Sequence, residues 1–346
     1  MGKVWLAALF GLVLGLGAAD EAAAQQQYRW KYFSGIPATH DYNAKHLIPA
    51  LANIKSRTNG NLDIRFVYIA ETPFKIGDAL IVIRDGQTEM TGWLPNTTSG
   101  TYPVLAVLAV PFTAPKWVSI REGMALGDKL YATSAVTAEM NKVLALHKAM
   151  VVGHYYSQPM NFWFTKAVNS VDEMKGLKIR TFSPELADLV SAIGATPVNI
   201  GAPEVYSALQ RGVMDGVITG IGNMRGPKWS EVLKSGYMAN IMPLDFFDLV
   251  SKDAYDKLPA EYQRVLAEEM AAAAKGINEL TISSVVDEQV LLAKEGFRFV
   301  EAPASVYAML RNLAREKVWP EWKKRAGPDA ARDFDKIIAE LEAASR

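Results

Sequence analysis

A short grammar written twice is what most narrows the fold of this chain. Helical spacing, a glycine and a short apolar run follow one another in IRDGQTEMTGW at residues 83–93, and again in LQRGVMDGVITG at 209–220. Around the first copy, Tyr28 opens a strand pattern. Asp41 then caps a run with Ala44, Leu47, Ile48, Leu51 and Ile54 at helical spacing, closed by Asn59-Gly60. Leu62, Ile64, Phe66 and Tyr68 alternate as a strand does, Thr72-Pro73 predicts a helix through Leu80 and Ile83 to Gly86, and 90–94 predicts another strand. Around the second copy, strand 177–182 leads through a helix opened by Ser183 and Pro184 to Gly194. Strand 198–200, helix 203–211 and strand 217–219 complete it. Strands alternating with helices in this way predict two α/β halves of like plan, each with a mainly parallel sheet.

Beyond Pro259 a helical pattern runs through Ile277, Leu280, Val285 and Leu291 to about Glu295, long enough to brace two lobes at once. Gly276 is the residue that argues for a break in it. A strand at 297–300 and helices near 305–317 and 329–344 finish the chain. At the other end, Lys3, the apolar run 4–19 and Ala22-Ala23-Ala24 read as a secretory signal over 1–24, with the mature protein starting near Gln25. The run is shorter than the ~20 apolar residues of a membrane span.

The 37 basic and 37 acidic residues become 36 and 35 once that leader is removed, without any basic cluster, which argues against nucleic acid and anionic membrane surfaces as partners. An exported chain with no cysteine has no disulfide framework, no thiolate metal site and no cysteine for a lipid anchor. It is expected to diffuse freely in the periplasm.

Signatures of catalysis and of cofactor binding are absent from the sequence: no G-x-S-x-G, H-E-x-x-H, Walker loop or G-x-G-x-x-G occurs, and no cofactor is expected. The four histidines, His40, His46, His147 and His154, fit no metal-ligand spacing. Arg180 is different. In GLKIRTFSPE, Leu177, Ile179 and Thr181 form one strand face and Lys178 and Arg180 the other, so a guanidinium stands at a strand's carboxyl end just before a helix begins. Ligands of open α/β sheets collect at such ends, and arginine presents a planar fork that matches a carboxylate. Its partner is either internal, with Glu71, Glu89 and Asp215 as candidates, or a carboxylate that arrives from outside. Aromatic residues gather near the places where the chain passes between halves: Trp93, Phe162-Trp163-Phe164 and Phe246-Phe247.

The run DEMKGLKIRTFSPELADLVSAIGATPVNIGAPEVYSALQRGVMDG, residues 172–216, resembles the solute-binding proteins of TRAP transporters, the tripartite ATP-independent periplasmic systems. GNLDIRFVYIAETP, DGQTEMTGWLP and SKDAYDKLPAEYQRVL extend the resemblance over nearly all of the mature chain. It implies a two-lobed periplasmic binding protein with crossover hinge strands and a long lobe-spanning helix, closing over a small organic acid and delivering it to membrane permease subunits. Lobe I would comprise 25–158 plus 247–284, and lobe II 159–246 plus 285–346. By the same resemblance the arginine of the K-I-R segment, Arg180, grips the ligand carboxylate, and Thr219 stands where a polar side chain meets the ligand. Sialic-acid and several dicarboxylate members carry a second arginine about twenty residues before the first. Met160 stands at that spacing here, followed by Phe162 and Trp163, which favours a monocarboxylate with an apolar or aromatic body. Trp93, Glu71 and Ser34 are the contacts expected from the first lobe, with Phe247 from the return crossover. Rival readings are an exported enzyme, with Arg180 as substrate anchor and Glu71 or Asp215 as acid or base, and a sensory module reporting to a membrane receptor.

Overall fold

The computed structural model describes residues 26–35, 43–113, 119–225 and 228–343, so the leader at 1–24 and the cap at Asp41 lie outside the described residues. Strand β1 (Tyr28–Ser34) is followed by α1 (Ala44–Arg57), β2 (Leu62–Tyr68), α2 (Ala79–Arg84) and β3 (Met90–Trp93), the β-α-β-α-β order that the periodicity predicts. Helix α2 starts later than Thr72-Pro73 suggests. Two single 3-10 turns, Ile69–Glu71 and Ile76–Asp78, come first, with Glu71 accepting from the Tyr68 N–H at 3.4 Å and Asp78 from the Lys75 N–H at 2.7 Å. Such bonds satisfy the free N–H at the start of each turn, and the second turn runs directly into α2.

Helices α3 (Ile120–Tyr131) and α4 (Ser134–Leu146) lead to β4 (Ala149–Tyr156), after which the chain crosses to β5 (Asn161–Phe164) in a second sheet. There β6 (Lys178–Thr181), α5 (Pro184–Ala192), β7 (Thr196–Asn199), α6 (Ala202–Gln210), β8 (Gly216–Thr219) and β9 (Ser235–Met238) repeat the grammar of the first half. The chain then returns as β10 (Asp245–Ser251), followed by α7 (Lys252–Tyr255), α8 (Ala260–Lys294), β11 (Arg298–Glu301) and α9 (Ala304–Leu313). A π turn at Ala314–Val318 joins α9 to α10 (Trp319–Ala326), and α11 (Pro328–Ala343) ends the described chain.

The first sheet has the order β2-β1-β3-β10-β4 and the second β11-β9-β5-β8-β6-β7. In each, one strand alone runs against the others: β10 pairs antiparallel with β3 and β4, and β5 antiparallel with β8 and β9. Each reversed strand is the one received from the other lobe. Strands β3, β5, β8 and β9 are buried at every residue, as sheets covered on both faces require.

Leu47, Leu51 and Ile54 of α1 pack with Tyr262, Val265, Leu266 and Ile277 of α8 over the first sheet. A larger core runs from Leu105 and Val136 through Phe162, Ile179 and Leu189 to Trp319, Trp322 and Phe334, so the C-terminal helices join both halves. The 35 residues of α8 span about 50 Å without a break. At Gly276 a Cβ would lie 2.5 Å from His46 Nδ1, so this glycine admits α1 rather than interrupting α8. Further along, Asn278 Oδ1 accepts from the Tyr156 N–H at 2.9 Å and Thr281 Oγ1 donates to the Tyr156 carbonyl at 3.0 Å. The helix thereby grips the residue at which the chain leaves the first sheet. No helix among the described residues is long and apolar enough to cross a membrane.

Candidate ligand-binding site

Strand β6 delivers Arg180 to its carboxyl end, in register with Val198 of β7 and Val217 of β8. Immediately beyond, the Ser183 hydroxyl accepts from the Leu186 N–H at 3.3 Å and opens α5, as the sequence predicts. Arg180 is 6% exposed. Its Nε donates to the Ile200 carbonyl at 3.0 Å, and its guanidinium carbon lies 5.1 Å from the Phe182 ring centroid. Among the described residues no carboxylate pairs with it, and burial alone pulls its pKa down to about 10, which leaves it a cation at neutral pH.

The three internal mates suggested by the sequence are engaged elsewhere. Asp215 accepts from the Lys178 N–H at 2.8 Å, Glu89 from the Lys31 N–H at 2.8 Å, and Glu71 from the Tyr68 N–H. With Nε held by Ile200, the two terminal nitrogens of Arg180 carry its remaining donors.

Arg180 borders a cavity of about 180 Å³ to which both halves contribute. Gly35, Asn43 and Ile76 come from the first half, Ser157, Gln158 and Met160 from the crossover, and Thr219, Asn223 and Trp229 from the second half. Leu244 and Phe246 close it from the return crossover, with Phe182 beside the arginine. Among the lining residues there is one cation and no carboxylate; the other polar side chains, amides, hydroxyls and the Trp229 indole, are neutral. Thr219 is 3% exposed, and its hydroxyl oxygen accepts from Asn223 Nδ2 at 2.5 Å.

Of the side chains expected to meet the ligand, Arg180, Thr219 and Met160 line this cavity, and Trp93, Phe162, Trp163, Glu71, Ser34 and Phe247 do not. Trp93 is fully buried, with its ring 5.8 Å from Phe247. Phe247 in turn stacks on His154 at 4.3 Å, whereas its neighbour Phe246 faces the cavity, because successive strand residues point to opposite faces. Phe162 lies in the core beside Phe164. Trp163 packs behind β8 against Phe297 and Phe299 and donates Nε1 to the Thr219 carbonyl at 2.8 Å, supporting the site from the rear. Ser34 is buried at the end of β1, one residue before the lining Gly35, and Glu71 is exposed in its 3-10 turn.

Several lining residues carry no mark in the sequence reading: Asn43, Gln158, Phe182, Asn223 and Trp229. Phe182 had a signal, since period two places it on the face of Arg180. Asn223 stands four residues past Thr219, in a 3-10 turn at Ile221–Asn223 that brings it back over the strand end. Trp229 lies in a connection without periodicity, where no pattern points to it.

The signature of the bacterial extracellular solute-binding proteins, family 7 (DctP), matches residues 35–324. The solute-binding protein RD1_1052 of Roseobacter denitrificans is 24% identical to this chain, over 89% of it and 96% of the relative. Among solved structures, the Bordetella pertussis extracytoplasmic solute receptor DctP6, which binds pyroglutamic acid, superposes with a TM-score of 0.76 at 23% identity, covering 91% of this chain and 99% of its own. A TRAP periplasmic solute-binding protein of Desulfovibrio salexigens with bound orotic acid gives a TM-score of 0.76 at 21% identity, over 92% and 99%. Identities this low speak for the fold, while the signature spans most of the chain. The chain belongs to family 7 of the bacterial extracellular solute-binding proteins, the receptors of TRAP transporters, and is a solute-binding receptor rather than an enzyme.

Proposed function

We propose that this receptor captures a small monocarboxylate with an apolar or aromatic body, its carboxylate gripped by the terminal nitrogens of Arg180. Lobes 25–158 plus 247–284 and 159–246 plus 285–346 close around it and hand it to membrane permease subunits in the periplasm, after removal of the leader at 1–24. One observation carries the reading: a buried cation without a carboxylate mate among the described residues stands in a cavity lined from both halves. A cation held this way is costly until an anion completes it. A single cation among otherwise neutral polar groups suits one carboxylate rather than two. Pyroglutamic acid and orotic acid, the ligands of the two relatives above, each carry one carboxyl group.

Micromolar affinity requires about 8 kcal/mol, and a hydrogen bond to a charged group contributes about 1.5 to 3 kcal/mol. The carboxylate grip therefore orients the ligand without holding it alone. Burying on the order of 100 Å² of a ring adds roughly 2.5 kcal/mol at ~25 cal/mol per Å². Phe182, Trp229, Phe246 and Ile76 supply that wall, in the place first given to Trp93 and Trp163. Closure is favoured only by contacts made in the closed state, which is why a cavity lined from both halves matters.

A thermal-shift panel of mono-, di- and keto-acids, followed by calorimetry on the strongest ligand, tests this. Arg180→Ala is expected to lose measurable binding with the fold intact, and Arg180→Lys to recover little. Binding at wild-type strength in either variant, or a preference for dicarboxylates, would overturn it.

A further inference from the structure

We propose that Asn43 is the ligand-reading residue of the first lobe, its buried Oδ1 accepting a hydrogen bond from an N–H or O–H of the captured acid, so that the receptor selects monocarboxylates carrying such a donor. This assignment rests on the receptor reading above and narrows its ligand class.

Asn43 occupies the N-cap position of α1, and its backbone carbonyl accepts from the N–H groups of His46 and Leu47 at 2.9 and 3.1 Å. A capping asparagine bonds the free N–H groups of the first turn from a non-helical backbone, whereas the backbone of Asn43 is itself helical (φ −67°, ψ −27°). Here it makes no such bond. The residue is 2% exposed, its Oδ1 is buried without a hydrogen-bond partner among the described residues, and it lines the cavity. A buried amide oxygen is ordinarily satisfied. One turned away from its own helix and toward a ligand cavity is matched by a donor that the ligand brings.

The cavity's hydroxyls give it a polarity in the same sense. Thr219 Oγ1 accepts from Asn223, so its proton is left for a ligand acceptor on the side of Arg180. Ser157 is committed the other way. Ser284 of α8 donates to the Thr281 carbonyl at 3.1 Å and therefore accepts from Gln158 Nε2 at 3.3 Å, which turns Gln158 Oε1 to receive the Ser157 proton at 3.3 Å. The lone pairs of Ser157 Oγ remain as an acceptor beside the crossover. The second lobe thus offers the Arg180 and Thr219 donors, and the first lobe and the hinge offer the Asn43 and Ser157 acceptors. A ligand with a carboxylate and a donor hydrogen satisfies both ends and holds the lobes together.

Two matched pairs of acids, each differing in one donor, read this directly by calorimetry: pyrrole-2-carboxylate against furan-2-carboxylate, and 2-hydroxyisovalerate against isovalerate. The intact receptor is expected to prefer the donor-bearing member of at least one pair by about tenfold, the scale of one neutral hydrogen bond. Asn43→Ala is expected to reduce that preference to about twofold, and Asn43→Ser gives a second reading should the alanine variant misfold. Because no cap bond is lost, the melting temperature of the empty variants should stay within about two degrees of the parent. Equal binding within both pairs, or an undiminished preference in the Asn43 variants, overturns the assignment. If none of the four acids binds while another monocarboxylate binds through Arg180, the assignment falls and the receptor reading stands; if no carboxylate binds at all, the receptor reading falls with it.

Discussion

Arg180 remains charged at neutral pH although burial lowers its pKa to about 10, and this sets how binding depends on pH. In the unfolded chain the guanidinium keeps its ordinary, higher value. Above about pH 10 the empty folded protein sheds this proton while the unfolded chain retains it, so this group's contribution to the stability of the empty protein rises with pH there. Binding runs the opposite way, since a carboxylate prefers the charged fork. Calorimetry is expected to give a flat carboxylate affinity from pH 6 to about 9 and a decline above about 10, with proton uptake on binding in that upper range. An affinity unchanged to pH 11 would show that the buried guanidinium keeps its proton there. Arg180 was legible because strand alternation and the Ser183-Pro184 helix start fixed its place together. Phe247 was one residue wrong: in a strand buried on both faces, composition no longer says which face looks into the cavity, and Phe246 lines it instead. Asn43 was not legible at all, because nothing in its spacing sets it apart from the other polar residues ahead of α1.

Helix α8 was readable from Pro259 to about Glu295 by its spacing, yet Gly276 was misleading within it. Glycine in a helix interior costs about 1 kcal/mol relative to alanine, so Gly276→Ala would be stabilising by propensity alone. The packing says otherwise, since the new methyl would meet the His46 ring at 2.5 Å. Overpacking of this kind costs roughly 1–3 kcal/mol. Urea unfolding is expected to show a net loss for Gly276→Ala and its recovery when His46→Ala is added, the signature of two residues in contact. A stabilised single variant would show that α1 gives way freely. Helix α2 illustrates the complementary difficulty: the chain takes two single 3-10 turns after Tyr68, the second opened by the Asp78 bond to the Lys75 N–H, and becomes α-helical only from Ala79. Sequence periodicity does not separate such turns from the helix they precede.

Across the whole molecule, the repeated grammar made the two halves and their shared plan visible, while the orientation of one strand in each sheet was not, because direction leaves no trace in hydrophobic pattern. Strand β10 lies between β3 and β4, and β5 lies between β9 and β8, so each sheet is completed in its interior by a strand from across the hinge. The C-terminal helices add a core common to both halves. Denaturant unfolding is therefore expected to be one transition, with near-UV and far-UV signals coincident; two separated transitions would show the halves folding independently.

The interior seat of β10 also bears on biosynthesis. By the time a nascent polypeptide has exposed Tyr156, four strands of its first sheet exist, but the slot between β3 and β4 stays vacant until Ser251 has emerged. Two unpaired inner edges remain open to wrong partners throughout that interval. A fragment of the mature chain ending near residue 160 should accordingly depend on chaperones to stay in solution.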